Sequence, residues 1–205
     1  MKYINWLLTV IFVLLTVNTS YAQDDEVITQ HARIRLQSSS SDNGLGISGV
    51  IEVPDLTQNP TNILGLIGVG LSGKKYNIGL HLGSLINKED IKAIIDVRGT
   101  CLITNYLFNW SNIRYTDVTN RRDSYLYVFS MFDFIVSQKV PIALGFESEN
   151  TIFGYDNEYI NFNDYSMGPN ILLSTSDKLR FELSYQKHTK QEVGTQFWLR
   201  MDIKL

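Results

Sequence analysis

The sequence predicts an all-β protein, an antiparallel up-and-down transmembrane β-barrel of about ten strands, within a range of roughly eight to twelve. Three observations predict it. Segments of about ten residues alternate apolar with polar side chains, which is the period of a strand with two unlike faces. Turn residues punctuate these segments, and short connections alternate with longer ones along the chain. After the N-terminal apolar run, no segment approaches the roughly 20 apolar residues of a spanning helix, so any membrane passage falls to strands closed into a barrel.

The elements follow in order. Residues 1–22 carry a basic start at Lys2, an apolar run from Trp6 to Val17 and the ending Ser20-Tyr21-Ala22. That is the pattern of a secretory signal peptide cleaved after Ala22. Residues 23–43 read as a periplasmic lead-in or an extra strand. Ala32-Arg33-Ile34-Arg35-Leu36 alternates, but the turn-rich run from Ser38 to Gly44 favours the lead-in.

Residues 44–205 are expected to form the barrel domain. Leu45, Ile47, Ile51 and Val53 share one face of its first strand, and Pro54–Thr61 is a loop. Ile63, Ile67, Val69 and Leu71 mark the next strand before a tight turn at Ser72-Gly73-Lys74-Lys75. Tyr76, Ile78, Leu80 and Leu82 lie opposite His81, and after Asn87–Asp90 the residues Ile91, Ala93, Ile95 and Val97 lie opposite Asp96. A turn is expected at Arg98–Cys101 and a long strand from Leu102 to Val118. In Ser124–Ile135 both faces are apolar, and Asp133 decides which one points inward. Ile142, Leu144 and Phe146 lie opposite Glu147, Gly154–Ser166 is a polar insert, and Asn170–Leu173 begins a strand that turns at Thr175–Asp177.

The last two strands are Leu179–Gln186 and Phe197–Leu205. Their outer faces must pair with each other, which restricts the register. Of the registers that satisfy this, one sets Glu182 against Arg200 and Arg180 against Asp202; its neighbours set like charges opposite one another. The sequence therefore predicts an inward-facing ladder of Arg180, Glu182, Arg200 and Asp202. His81 and Asp96 form a second lumenal polar pair, because pairing across Asn87–Asp90 sets them opposite each other.

If the chain ends in the periplasm, the turns at Gly73, Gln138 and Ser176 lie there, and the longer connections lie outside. To this pattern the final strand adds Glu192-Val193-Gly194-Thr195-Gln196-Phe197-Trp198-Leu199. The run of a polar residue, Gly two places on and apolar residues at the sixth and eighth positions resembles the insertion signal of small outer-membrane β-barrels of Gram-negative bacteria. Glu192, Gly194, Phe197 and Leu199 are the matching positions; the terminal Leu205 stands where many of these proteins have Phe. The resemblance implies a cell outer-membrane address, contact with outer-membrane lipid, and recognition by the barrel-insertion machinery.

Other chemistry is sparse. Removing Lys2 with the signal peptide from the 18 basic residues leaves 17 against 21 acidic ones, about −4. That argues against a nucleic-acid partner, which needs a basic face. Cys101 is a lone cysteine, so no internal disulfide is expected. His81 and Ser84 are three apart on a strand and so point to opposite faces, which defeats a dyad. No catalytic residue, metal ligand or cofactor is assigned. In the polar insert, Tyr155, Asp156, Glu158, Tyr159 and Asp164 are candidates for binding an extracellular ligand or protein.

The expected function is that of a non-enzymatic integral outer-membrane barrel, structural or acting through its outer loops, with a narrow or filled lumen. The alternatives are a secreted soluble barrel binding a small apolar ligand, and an outer-membrane lipid-modifying hydrolase.

Overall fold

The structure, a computed structural model, describes residues 28–39, 43–117, 124–137, 140–153, 161–176, 178–189 and 194–205. The expected signal peptide lies outside the described residues. Eleven strands close into one barrel: β1 Ile28–Ser39, β2 Gly44–Val53, β3 Ile63–Gly73, β4 Tyr76–Ile86, β5 Ile91–Leu102, β6 Leu107–Thr116, β7 Tyr125–Ser137, β8 Val140–Phe153, β9 Asn161–Ser176, β10 Leu179–His188 and β11 Thr195–Lys204. Each neighbours the next in sequence, and β11 returns to β1.

Residues 28–39, ambiguous in the sequence, are a barrel strand and not a lead-in. Arg33 and Arg35 are buried in the lumen, and their alternation with Ala32, Ile34 and Leu36 makes a two-faced strand. An eleventh strand changes how the barrel closes. Up-and-down strands alternate in direction, so an odd number forces one parallel seam. It falls between β1 and β11, from Ile28 opposite Thr195 to Gln37 opposite Lys204, while every other neighbouring pair is antiparallel.

The faces sort as the alternation requires, with apolar side chains outside. Leu45 is 75% exposed, Ile67 68% and Phe134 61%, whereas Asp96, Glu147 and Arg200 are at most 1% exposed. Two small apolar clusters, Val50/Leu64/Leu66/Ile94 and Trp110/Phe129/Met131, share the interior with them. Tight curvature needs glycine at the sharpest bends. A Cβ at Gly68 would overlap the Leu80 carbonyl oxygen, and one at Gly168 would overlap that of Tyr185.

Two boundaries differ from the sequence expectation. The turn expected at Arg98–Cys101 lies at 103–106, because Gly99 to Leu102 continue the ladder opposite β6. Thr104 supplies the turn chemistry there: its Oγ1 accepts from the Tyr106 and Leu107 backbone N–H groups at 3.2 and 3.0 Å. The insert expected over Gly154–Ser166 is shorter, since β9 begins at Asn161.

One rim carries the connections 40–43, 74–75, 103–106, 138–139 and 177–178; the other carries 54–62, 87–90, 117–124, 154–160 and 189–194. The three shortest connections, 74–75, 138–139 and 177–178, thus share one rim, and the four longest share the other.

Candidate functional site

The interior is where this sequence concentrates unusual chemistry. In β11, Arg200 projects across the lumen. Its Nη1 donates to both carboxylate oxygens of Glu147 on β8 at 2.8 Å, to Ser184 Oγ at 3.1 Å and to Glu182 on β10. Gln186 donates to the same Glu147 carboxylate and accepts from Ser166 Oγ at 2.7 Å. The Arg200 guanidinium also lies over the Trp198 and Phe129 rings, at 4.9 and 5.2 Å.

A second network is centred on Asp96. Arg98 makes a two-point contact with its carboxylate at 2.7 and 2.9 Å, Asn112 donates at 2.8 Å and Arg114 at 3.1 Å. Arg114 continues to Glu52 on β2 at 3.2 Å, bridging strands on different sides of the barrel. At the closing seam, Arg35 donates to Asp202 at 2.5 Å and lies over the Trp110 ring at 4.7 Å. Side chains from distant strands therefore meet inside, and the middle of the lumen is filled by charge pairs.

The expected hairpin register is the observed one: Glu182 stands opposite Arg200, Arg180 opposite Asp202, Phe181 opposite Met201 and Leu183 opposite Leu199. Contacts within this ladder are uneven. Glu182 and Arg200 meet directly, whereas Asp202 accepts from Arg35, and Arg180 lies exposed with its guanidinium over Phe108 at 5.8 Å. The alternation identified which residues face inward, but not which more distant strands they reach. Glu147, Glu52 and Arg114 escaped assignment because their partners are remote in sequence, and Arg98 because a turn was expected to begin there.

His81 stands opposite Asp96, with Nδ1 3.9 Å from Oδ1, while its Nε2 is 2.7 Å from Ser48 Oγ on β2. Ser48, His81 and Asp96 thus occur in the spatial order of a hydrolytic triad that sequence spacing could not reveal. The geometry does not complete one. A triad needs the carboxylate hydrogen-bonded to the imidazole, and at 3.9 Å it is not; Arg98, Asn112 and Arg114 hold Asp96 instead. Ser84, on the opposite face of β4, takes no part.

Of the positions expected to form an insertion signal, Gly194 has a φ of 66°, a left-handed conformation that favours glycine, and leads directly into β11. Phe197 and Leu199 alternate with the inward-facing Arg200 and so lie on the outer face; Glu192 lies outside the described residues. So do Tyr155, Asp156, Glu158 and Tyr159, while the Asp164 backbone enters β9 opposite Thr151.

At the rim of long connections, residues 54–57 cover the start of β1. His31 stacks on Trp198 at 4.5 Å and its Nδ1 lies 2.7 Å from Asp55 Oδ2. Partial burial pushes the Asp55 carboxyl up, but hydrogen bonds from His31, Thr57 and the Gln58 N–H outweigh this and hold it below the ordinary carboxylate value.

Two cavities flank the charged middle. One, of about 300 Å³, lies toward the long connections and is lined by Arg33, Glu52, Arg114, Glu149 and Trp198. The other, of about 390 Å³, lies toward the short connections. Among the described residues, no group of three or more His, Cys, Asp or Glu side chains converges as a metal site. Comparison of the chain with protein-family models, curated proteins and solved structures finds no match.

Proposed function

We propose that the protein is an integral outer-membrane β-barrel without enzymatic activity, acting as a structural element or through its outer connections. The observation that carries this reading is the inverted burial: charged side chains are enclosed and large apolar ones cover the exterior. Burial of that apolar band by lipid removes the cost of leaving it in water.

Three further features support it. Tyr76 and Tyr106 are exposed at the rim of short connections, and Tyr115 and Tyr185 lie on the outer face toward the other rim, as paired aromatic belts do at the two interfaces. Asn109, Ser111 and Ser130 on the outer wall hydrogen-bond to one another, so polar groups there are satisfied internally. On this reading the short-connection rim faces the periplasm, as the connection lengths favour. The filled lumen speaks against a general pore, and the unpaired His81–Asp96 geometry against a hydrolase. Lipid and the barrel-insertion machinery are the partners this reading requires.

Fractionation tests it. The mature chain should remain in outer membranes after carbonate washing and need detergent for release. Recovery as a soluble protein would overturn the reading in favour of a secreted barrel.

A further inference from the structure

The cavity at the short-connection end has a polar floor whose two groups find few partners but each other. Asp133 on β7 lines this cavity and is 0% exposed, yet among the described residues the only side-chain donor beside its carboxylate is the Asn170 amide. Directly beside it in the sheet, Gly145 stands opposite Asp133 on one side and Asn170 on the other. A Cβ at Gly145 would overlap both the Asp133 carboxyl and the Asn170 amide, so the glycine is what lets these two side chains share the same stretch of wall. Asn170 is 2% exposed, and apart from Asp133 its amide has no partner among the described residues.

This row differs from the rest of the interior. Glu147 and Asp96 each accept from donors on two strands. Asp133 faces a chamber whose walls are largely apolar, including Leu102, Phe108, Ile135 and Leu172, with Arg180 exposed at its mouth. A buried carboxyl with a single amide donor is costly, and an apolar wall offers it no other. A cavity of about 390 Å³ falls in the size range of small-molecule sites, which combine apolar walls with a few fixed polar groups.

We propose that this chamber binds a small amphiphile that carries a protonated primary amine on an apolar body. The ammonium has three donors and no acceptor. It sits against the Asp133 carboxylate and the Asn170 amide oxygen, where three acceptor atoms lie within one row of the sheet. The apolar body lies along Phe108, Ile135 and Leu172. Arg180 at the mouth disfavours a second positive charge at the outer end of the ligand, which selects monoamines over polyamines. Binding here needs no chemistry from the central charge networks and no access through them.

The test uses the full mature barrel in lipid nanodiscs and three probes of equal size: 4-fluorobenzylammonium, 4-fluorobenzyl alcohol and 4-fluorobenzoate. Binding is read by fluorine NMR against nanodiscs without protein. The ammonium probe should show saturable binding, the alcohol at least tenfold weaker binding, and the benzoate none. Asp133→Asn should weaken the ammonium at least tenfold, and Asp90→Asn, at the opposite rim, should leave it unchanged. Leu172→Trp, which fills the chamber and leaves Asp133 in place, should abolish binding; it keeps the test decisive where Asp133→Asn fails to fold. The proposal is overturned by absence of saturable ammonium binding, by equal binding of alcohol and ammonium, or by undiminished binding to a folded Asp133→Asn or Leu172→Trp variant. Only the nanodisc rests on the outer-membrane reading: a barrel that stays soluble overturns that reading and takes the same three probes in buffer, so the two failures are told apart.

Discussion

Strand β11 has two neighbours, and they are held by different means. Toward β10 it is antiparallel, contiguous in sequence, and registered so that Glu182 meets Arg200. Toward β1 it is parallel, joined by no turn, and sets Arg33 directly opposite Arg200. Like charges opposite one another should destabilise the second seam. The structure separates them by direction: Arg200 turns to Glu147 and Glu182, while the Arg33 guanidinium lies over Trp110 at 5.8 Å. Two residues along, Arg35 meets Asp202, which supplies the opposite-charge pair of the closing seam. One register is selected locally by facing charges; the other is fixed by closure of the whole barrel.

The sharpest way to break this comparison is to trap the parallel seam. Ala32 and Leu199 are paired residues on its outer face. With Cys101→Ser removing the native thiol, Ala32→Cys with Leu199→Cys should cross-link nearly completely, because neighbouring strands lie about 4.8 Å apart. Ala32→Cys with Ile203→Cys should not. Efficient cross-linking of the second pair, seen as a mobility shift on non-reducing gels, would contradict the register.

Next in size is the antiparallel side. Arg200→Leu leaves Glu147 and Glu182 buried without their shared cation, which costs about 3–5 kcal/mol. Urea unfolding in lipid vesicles, followed by tryptophan emission, should show that loss. Adding Glu147→Gln and Glu182→Gln should restore most of it, since no uncompensated charge then remains. A single variant as stable as the wild type would remove the central role given to this network.

The parallel seam should respond less, and unequally. Asp202→Asn weakens the contact from buried Arg35 and should cost about 1–3 kcal/mol, whereas Arg33→Met, which removes one of two facing cations, should stay within about 1 kcal/mol of wild type. The same unfolding measurement checks both. Equal losses would mean that the Arg35–Asp202 pair contributes no more to the parallel seam than Arg33 does.

The contrast also marks how much was legible in the sequence. Alternation fixes the face of each residue, and facing charges fix the register of one hairpin, because both are local. The ladder from Leu179 opposite Ile203 to Lys187 opposite Thr195 could be derived on those grounds. Closure could not. Ala32–Leu36 alternates as clearly as many barrel strands, but nothing near it in sequence reveals a partner at the far end of the chain. For the same reason Asp96 was assignable to the lumen opposite His81, but its grip by Arg114, and the Glu52 beyond, was not. Asp133 is legible as inward-facing; its want of a donor beyond Asn170 depends on which side chains three strands bring to one chamber.

The smallest expected effect concerns the exposed start of β1, where the parallel seam has help. Strand β2 pairs with β1 only from Ile34 onward. Before that, the loop after β2 takes over: Leu56 N–H donates to the Ala32 carbonyl at 2.6 Å, Thr57 Oγ1 lies 2.8 Å from the Gln30 carbonyl oxygen, and Asp55 meets His31. The Asp55 pKa is lower folded than unfolded, so its contribution is fully present above the unfolded value. It disappears as pH falls through the folded value. Asp55→Asn should therefore cost about 0.5–1.5 kcal/mol at neutral pH, the scale of one net hydrogen bond. The difference from wild type should shrink toward zero in acid, because the protonated carboxyl of Asp55 and the amide that replaces it are then both uncharged. Hydrogen exchange at the Ala32 to Ile34 amides, compared at neutral and acid pH in both proteins, measures it locally. A difference that persists undiminished in acid would show that the loop holds β1 through shape alone, without the ionised carboxylate.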